Sequence, residues 1–270
     1  MFVALGRFLV QIVWKREAVL FPVPKWQKID DTRRPASNRV VLWVEEREPY
    51  EGKLSAEGWN GFDLNCCKQA VYVQKGMPLF SLQYTVDGRE VKVIVPEGKT
   101  THAKLGIMYG MLLALHRCCI GLHGVTLLCG DEIVILSAPS GTGKTTLANL
   151  LEKYCGAIVL NGDFALLSIS GDGVIFEPTP FCGSSGRCLN HRVKVSRVVF
   201  LEQSRLNKWR DLDGREATMR FMSNAFIPTW DKDMELVIQE NIVRCVSMCA
   251  MNTFAFAPTK EAAKMFSNQL

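Results

Sequence analysis

The apolar pattern of this chain changes period several times, and each change marks an element. Near the middle, Ile133, Val134, Ile135 and Leu136 form an unbroken apolar run. Such a run predicts a strand covered on both faces. Leu147, Leu150 and Leu151 then recur at helical spacing, which predicts a helix opening at Lys144 and closing at Cys155-Gly156. Upstream, Thr126-Leu127-Leu128-Cys129 and the tight Gly130-Asp131 pair make the buried strand the second arm of an antiparallel hairpin. Further back, LFSLQYTV and REVKVIVP alternate on either side of Asp87-Gly88, a strong hairpin signal. Residues 70–74 join that sheet, and residues 39–45 read as a strand.

The remaining pattern fills in the chain. Residues 1–14 are apolar, a strand or short helix. Residues 15–36 hold three prolines and mixed charge, an extended connector. Residues 46–65 read as irregular. Residues 101–119 predict a buried helix with Leu105, Met108, Leu112, Leu115 and Cys119 on one side. A strand over 157–160 ends in Asn161-Gly162-Asp163, and a hairpin follows over 164–169 and 174–177. A buried strand at 198–201, helices at 216–226 and 233–248, a strand at 252–256 and a helix at 260–269 complete the reading. The expected fold class is mixed α/β with antiparallel hairpins. A mostly β region over 1–98 precedes a P-loop domain over 99–270.

Composition adds bounds. The 270 residues can bury a sizeable core, and 48% hydrophobic with 22% charged residues is ordinary for a globular chain. The net charge of +5 suits anionic ligands, and no basic, aromatic-rich stripe argues for nucleic acid. The N-terminal MFVALGRFLVQIVW lacks a basic leader and a cleavage site, and the run at 105–115 is too short to cross a bilayer. The expectation is a cytoplasmic protein without a membrane role. Ten cysteines include the pairs Cys66-Cys67 and Cys118-Cys119, a loop flanked by Cys182 and Cys188, and Cys245 with Cys249, none at C-x-x-C spacing. They read as reduced, buried thiols.

The candidate chemistry sits between the strand and helix first described. Ser140-Gly141-Thr142-Gly143-Lys144-Thr145-Thr146 carries the G-K-T core of a phosphate-binding P-loop. Glycine lets backbone N–H groups approach phosphate oxygens, and the helix N-terminus adds unpaired donors. Lys144 brings a point charge to the β- and γ-phosphates, and Thr145 offers a hydroxyl to Mg²⁺. The first glycine of the longer motif is replaced by Ala138. Asp163, one helix and one short strand downstream, is placed either for a Mg²⁺ site or as a loop cap. The small-residue loop Gly183-Ser184-Ser185-Gly186-Arg187, with Asn190, His191, Arg192, Lys194 and Arg197 beside it, reads as substrate-facing or as plain surface.

Leu122-His123-Gly124-Val125, the hairpin, Ser140 to Thr145 and the strand ending in Asp163 together resemble HPr kinase/phosphorylase and its relatives, which are related to phosphoenolpyruvate carboxykinases. The likeness spans about residues 101–201. The 180–186 segment and the strand ending in Leu201-Glu202-Gln203 are similar to divergent members from peptide-modification systems. The resemblance implies ATP on Lys144 and the loop amides, Mg²⁺ on Thr145 and Asp163, and His123 near the transferred phosphate. Asp163 would match one member of the family's Asp-Asp pair, and Gly162 stands where the other would be. The family's later glycine-rich signature is not found in its usual form. These departures bear on reverse phosphorylase chemistry more than on nucleotide binding.

The expected function is ATP- and Mg²⁺-dependent phosphorylation of a serine or threonine hydroxyl on a small protein or peptide. Two others stay open: a small-molecule kinase, and a nucleotide-sensing subunit with little transfer activity. A homo-oligomer is compatible with the sequence.

Overall fold

The first sheet buries runs of mostly apolar residues such as Leu79 to Leu82 of its central strands, and its edge strand at 58–63 is only partly buried. Its strands are β1 (Phe2–Leu5), β2 (Phe8–Trp14), β3 (Arg39–Glu46), β4 (Gly58–Asp63), β5 (Lys68–Gln74), β6 (Met77–Tyr84) and β7 (Glu90–Val95). They lie in the order β1-β2-β3-β7-β6-β5-β4, with β2, β3 and β7 parallel and the other pairs antiparallel. The computed structural model describes residues 2–5, 7–14, 39–52, 54, 56–64, 67–86, 88, 90–171 and 173–270. The connector expected over 15–36 therefore lies outside the described residues, as do Asp87 and Asp172 of two expected turns. The β6–β7 register, Tyr84 opposite Val91, is centred on the expected turn at 87–88. Strand β4 falls within the stretch read as irregular; its two glycines and few β-branched residues hid it.

Helix α1 (Thr100–Leu115) packs on β7, β3 and β6. Its buried residues are Ala103, Gly106, Ile107, Gly110, Met111, Leu112, Leu113 and Leu115, while Leu105 and Met108 are only half-buried. Of the expected stripe, Leu112, Leu115 and Cys119 are buried, and Leu105 and Met108 lie at its margin. Small residues decide the matter: a Cβ on Gly106 would stand 2.5 Å from Val93 Cγ1, so the helix lies on the sheet through its glycines. Cys119, the end of the expected helix, belongs to the next strand. The described residues form two compact units, one reaching to Arg117 and including Pro228–Val237, the other holding Cys118–Ile227 and Ile238–Leu270. They divide after Arg117, where the sequence reading put the boundary after residue 98. The difference arises because α1 packs on the first sheet.

The second unit is built on a nine-stranded sheet. Its strands are β8 (Cys119–Cys129), β9 (Glu132–Ser137), β10 (Ile158–Asn161), β11 (Phe164–Ser170), β12 (Gly173–Glu177), β13 (Val193–Lys194), β14 (Arg197–Gln203), β15 (Lys208–Asp211) and β16 (Ala250–Phe256). The helices are α2 (Lys144–Cys155), α3 (Gly214–Asn224), α4 (Lys232–Met248) and α5 (Lys260–Ser267). The order is β13-β12-β11-β8-β9-β14-β16-β15, with β10 also on β8. Strands β8 and β9 form the expected antiparallel hairpin, while β9, β14 and β16 are parallel. The sheet is therefore mixed, in agreement with the mixed α/β class.

The run Ile133–Leu136 is covered on both faces because its side chains alternate between two cores. Ile133 and Ile135 pack with Phe200, Phe221 of α3 and Ile242 of α4. Val134 and Leu136 pack with Leu147 and Leu151 of α2 and Phe266 of α5. Burying both faces is what a run without alternation requires. Asp213 caps α3 through the Glu216 N–H, and Thr259 caps α5 through the Ala262 N–H.

Gly124 in β8 admits no side chain, since a Cβ there would lie 2.9 Å from the Leu136 carbonyl oxygen. A backbone atom cannot step aside as a side-chain tip can. Gly124→Ala should cost about 1–3 kcal/mol of stability. A urea titration followed by circular dichroism checks this; an unmoved midpoint would mean that β8 and β9 can part without penalty.

Candidate functional site

The site begins where β9 ends. The chain leaves Ser137 and turns through Ala138, Pro139, Ser140, Gly141, Thr142 and Gly143 into α2. Gly141 (φ +81°) and Gly143 (φ +108°) occupy the left-handed region that other residues avoid. Gly143 caps α2 with no side-chain hydrogen bond. The positive end of the helix, with its first-turn N–H groups, therefore faces outward without a capping side chain. Thr145 and Thr146 are exposed at that end.

Lys144 folds back into the loop. It is only 7% exposed, and its Nζ donates to the carbonyls of Ala138 (2.6 Å) and Pro139 (3.1 Å). Burial lowers its pKa from the ordinary lysine value, and the Asp163 charge opposes that shift. A desolvated ammonium of this kind binds an incoming anion more strongly than one in water.

Asp163 sits in a break of the sheet. Strands β10 and β11 lie end to end beside β8, with Asn161 opposite Thr126 and Phe164 opposite His123. The ladder shifts earlier, between Val159 and Asn161, and from Asn161 onward the register is continuous, the Gly124 N–H donating to the Asp163 carbonyl at 3.0 Å. The Asp163 carboxylate thereby comes within 3.9 Å of His123 Nδ1 (Oδ1 to Nδ1), both side chains being close to half-exposed. His123 is held in turn from β9, where Ser137 Oγ donates to its carbonyl at 2.9 Å. Burial, and then the Lys144 charge, lower the His123 pKa, while Asp163 raises it. Burial and the neighbouring ammonium thus favour the neutral imidazole.

The 183–187 segment packs over Asp163. Gly183 to Ser185 make one turn of 3₁₀ helix, and a Cβ on Gly183 would lie 2.7 Å from Asp163 Cβ. A Cβ on Gly162 would meet Ser185 Oγ at 2.0 Å. A side chain at 162 would be crowded in this arrangement, with the Cys182 carbonyl oxygen also 3.2 Å from the Cβ position. Arg187 turns away to Asn149 and Glu152 on α2. Two more cations expected to surround the loop are engaged elsewhere: Arg192 pairs with the buried Glu177, and Arg197 with Glu132.

The structure thus brings Lys144, His123, Asp163 and the 183–187 segment to one side of the glycine loop. The sequence reading missed the residue that aims Asp163. Asn161 is fully buried; its Oδ1 accepts from the Asp163 and Phe164 N–H groups at 3.0 Å each, and its Nδ2 donates to Thr179. The signal was present, because asparagine two positions before the turn residue is an Asx-turn pattern. One expectation about thiols is corrected: Cys182 and Cys188 form a disulfide instead of remaining reduced, since the intervening 3₁₀ turn brings their Cα atoms to 5.6 Å. Other thiols fit the buried reading. Burial pushes Cys129 up to about 12 and Cys245 upward as well.

Among the described residues no cluster of three or more His, Cys, Asp or Glu could enclose a metal. A protein-only cage is therefore absent there. A Mg²⁺ ion needs only one or two carboxylates when phosphate oxygens supply the rest, and the half-exposed Asp163 carboxylate is of the right chemistry to be one of them. Among the described residues no helix is long and apolar enough to cross a membrane.

No protein-family model matches the chain, and no curated protein matches it in sequence. Among solved structures, the HPr(Ser) kinase/phosphatase from Coxiella burnetii aligns with 55% of this chain and 91% of its own, at 12% identity and a TM-score of 0.30. A likeness of that size carries no argument about this chain, so the site must be read from its own geometry.

The two charges beside His123 act in opposite senses, which gives a signed test. Lys144→Met should raise the His123 pKa, and Asp163→Asn should lower it further below the ordinary histidine value. Imidazole titrations by ¹⁵N–¹H NMR read both shifts. Movement in the same direction for both variants would refute the arrangement.

Proposed function

We propose that the chain is an ATP- and Mg²⁺-dependent phosphotransferase whose acceptor is a serine or threonine hydroxyl of a small protein or peptide. One observation carries the reading. A buried lysine ammonium and a histidine–aspartate pair stand at the same flank of an anion-ready glycine loop. An anion site alone would bind phosphate. The neighbouring base pair adds a means of accepting a proton from an incoming hydroxyl.

The roles follow from the chemistry. Loop N–H groups and the α2 terminus hold the phosphates, and Lys144 leaves the Ala138 and Pro139 carbonyls to meet the transferred group. Asp163 and Thr145 would hold Mg²⁺ shared with phosphate oxygens, and the ion would supply further charge neutralisation there. The acceptor hydroxyl gives its proton to the Asp163 carboxylate, with the neutral His123 beside it to take up or orient that proton. The hydroxyl oxygen bonds to the γ-phosphorus as the bond from that phosphorus to the β–γ bridging oxygen breaks. ADP leaves with the bond's electron pair. Much of the rate then comes from positioning and charge stabilisation.

The acceptor enters beside the 183–187 segment, which already lies against Asp163. Its covering of the carboxylate favours a flexible chain able to lay one hydroxyl into the remaining gap. The reading of a nucleotide-binding subunit without transfer draws on the single carboxylate, since Gly162 leaves Asp163 without a partner aspartate.

Lys144→Ala should leave the fold intact and reduce transfer by about 10²-fold or more. Incubation with γ-³²P-ATP, serine-containing peptides and a metabolite panel reads this directly. Label on metabolites alone would reassign the acceptor. ATP binding with no label on any acceptor would favour the sensing reading, and undiminished transfer by a folded Lys144→Ala protein would sink the phosphotransferase mechanism.

A further inference from the structure

The glycine loop has a second flank that the sequence did not single out. On the side away from His123 and Asp163 lies a cleft of about 460 Å³, lined by Gly141, Gly143, Thr146, Gln203, Arg205 and Pro258 among others. We propose that this cleft receives the nucleoside portion, base and ribose, of the nucleotide whose phosphates lie in the loop. The transferred end of that nucleotide then faces His123 and Asp163. This inference rests on the phosphotransferase reading above and adds the orientation of the donor.

Topology builds the cleft. Strands β9, β14 and β16 are parallel, so their C-terminal ends lie at one edge. The last β9–β14 pair is Ser137 with Phe200, yet β14 continues to Gln203, opposite Phe256 of β16. Two strands therefore overhang the level at which β9 enters the loop, and their ends wall one flank. The opposite flank belongs to β8 and β11, where His123 and the Asp163 break lie. A ligand crossing the loop meets the proton-accepting pair on one side and the cleft on the other.

The walls are tied together and pre-formed. Gln203 Nε2 donates to the Gly141 carbonyl at 3.1 Å. The Ser204 N–H donates to the Phe256 carbonyl at 3.0 Å, and the Ala257 N–H donates to Asn207 Oδ1 at 3.0 Å. Phe256 closes the floor, its Cζ being 3.2 Å from where a Cβ on Gly143 would stand. The volume lies in the range of small-ligand pockets, about 300–1,000 Å³.

The lining chemistry suits a heterocycle and a sugar. Arg205 is exposed and has no ion-pair partner among the described residues, so its planar guanidinium can lie on a heteroaromatic face. The exposed Pro258 offers an apolar face. The Gln203 amide oxygen and the Thr146 hydroxyl supply acceptors and a donor for base edges and ribose hydroxyls. The other flank cannot take the nucleoside, because the 183–187 segment is packed there within contact of Gly162 and Asp163.

Calorimetry on the full chain with ATP and with tripolyphosphate separates the two halves of the ligand. ATP should bind about tenfold or more tightly than tripolyphosphate. Arg205→Ala should weaken ATP by about three- to thirtyfold and leave tripolyphosphate unchanged. If neither ligand binds, the phosphotransferase reading itself fails, and this inference with it. If both bind equally well, or Arg205→Ala weakens both alike, the phosphate site stands and the nucleoside cleft is overturned. Photolabelling with 8-azido-ATP gives an independent readout. Label on peptides holding 203–206 or 256–258 supports the cleft even if Arg205→Ala is silent, and label confined to other peptides overturns it.

Discussion

The hydrogen bond from the Gly124 amide to the Asp163 carbonyl, 3.0 Å long, is the interaction on which the candidate site depends. Strand β8 must satisfy backbone groups along both of its edges. One edge is closed by β9 and the other by β10 and β11 in succession. The gap between β10 and β11 would leave an unpaired amide in the interior of the sheet, at a cost of about 1–3 kcal/mol. The Asp163 carbonyl fills that gap, and its side chain is thereby directed toward His123. A break that would otherwise weaken the sheet is the means by which two distant stretches meet.

Steric crowding then bears on the carboxylate count. Ser185 occupies the space beside Gly162, and Asp163 the space beside Gly183. These contacts tie the 183–187 segment to the turn, helped by the Gly162 N–H donating to the Arg187 carbonyl at 3.0 Å. The same packing that supports Asp163 crowds the position beside it. Charge follows geometry: burial lowers the pKa of both Lys144 and His123, the Lys144 charge lowers that of His123 further, and Asp163 opposes both shifts. The site is a balance of one cation, one anion and one neutral base.

Much of this was legible in the chain. The Ile133–Leu136 run, the Gly130-Asp131 turn and the helix opening at Lys144 all appear as expected, because each is fixed by neighbours in sequence. Other readings failed for identifiable reasons. The α1 stripe held at Leu112 and Leu115 but not at Leu105 and Met108, because the helix approaches its sheet through Gly106 and Gly110. Arg192 and Arg197 looked like a basic surround, yet each is paired with a carboxylate on another strand.

The sequence by itself determined the glycine loop, its lysine and the presence of an acid just downstream, since loop conformation and helix start depend on local residue types. Tertiary structure decided which groups share the loop's two flanks. Gln203 lies 62 positions from Gly141, and Asn161 lies 18 from Thr179. Contacts at such separations follow from strand order and register, which no local periodicity encodes. The sheet order placed His123 and Asp163 on one flank of the glycine loop, and Gln203 and Phe256 on the other.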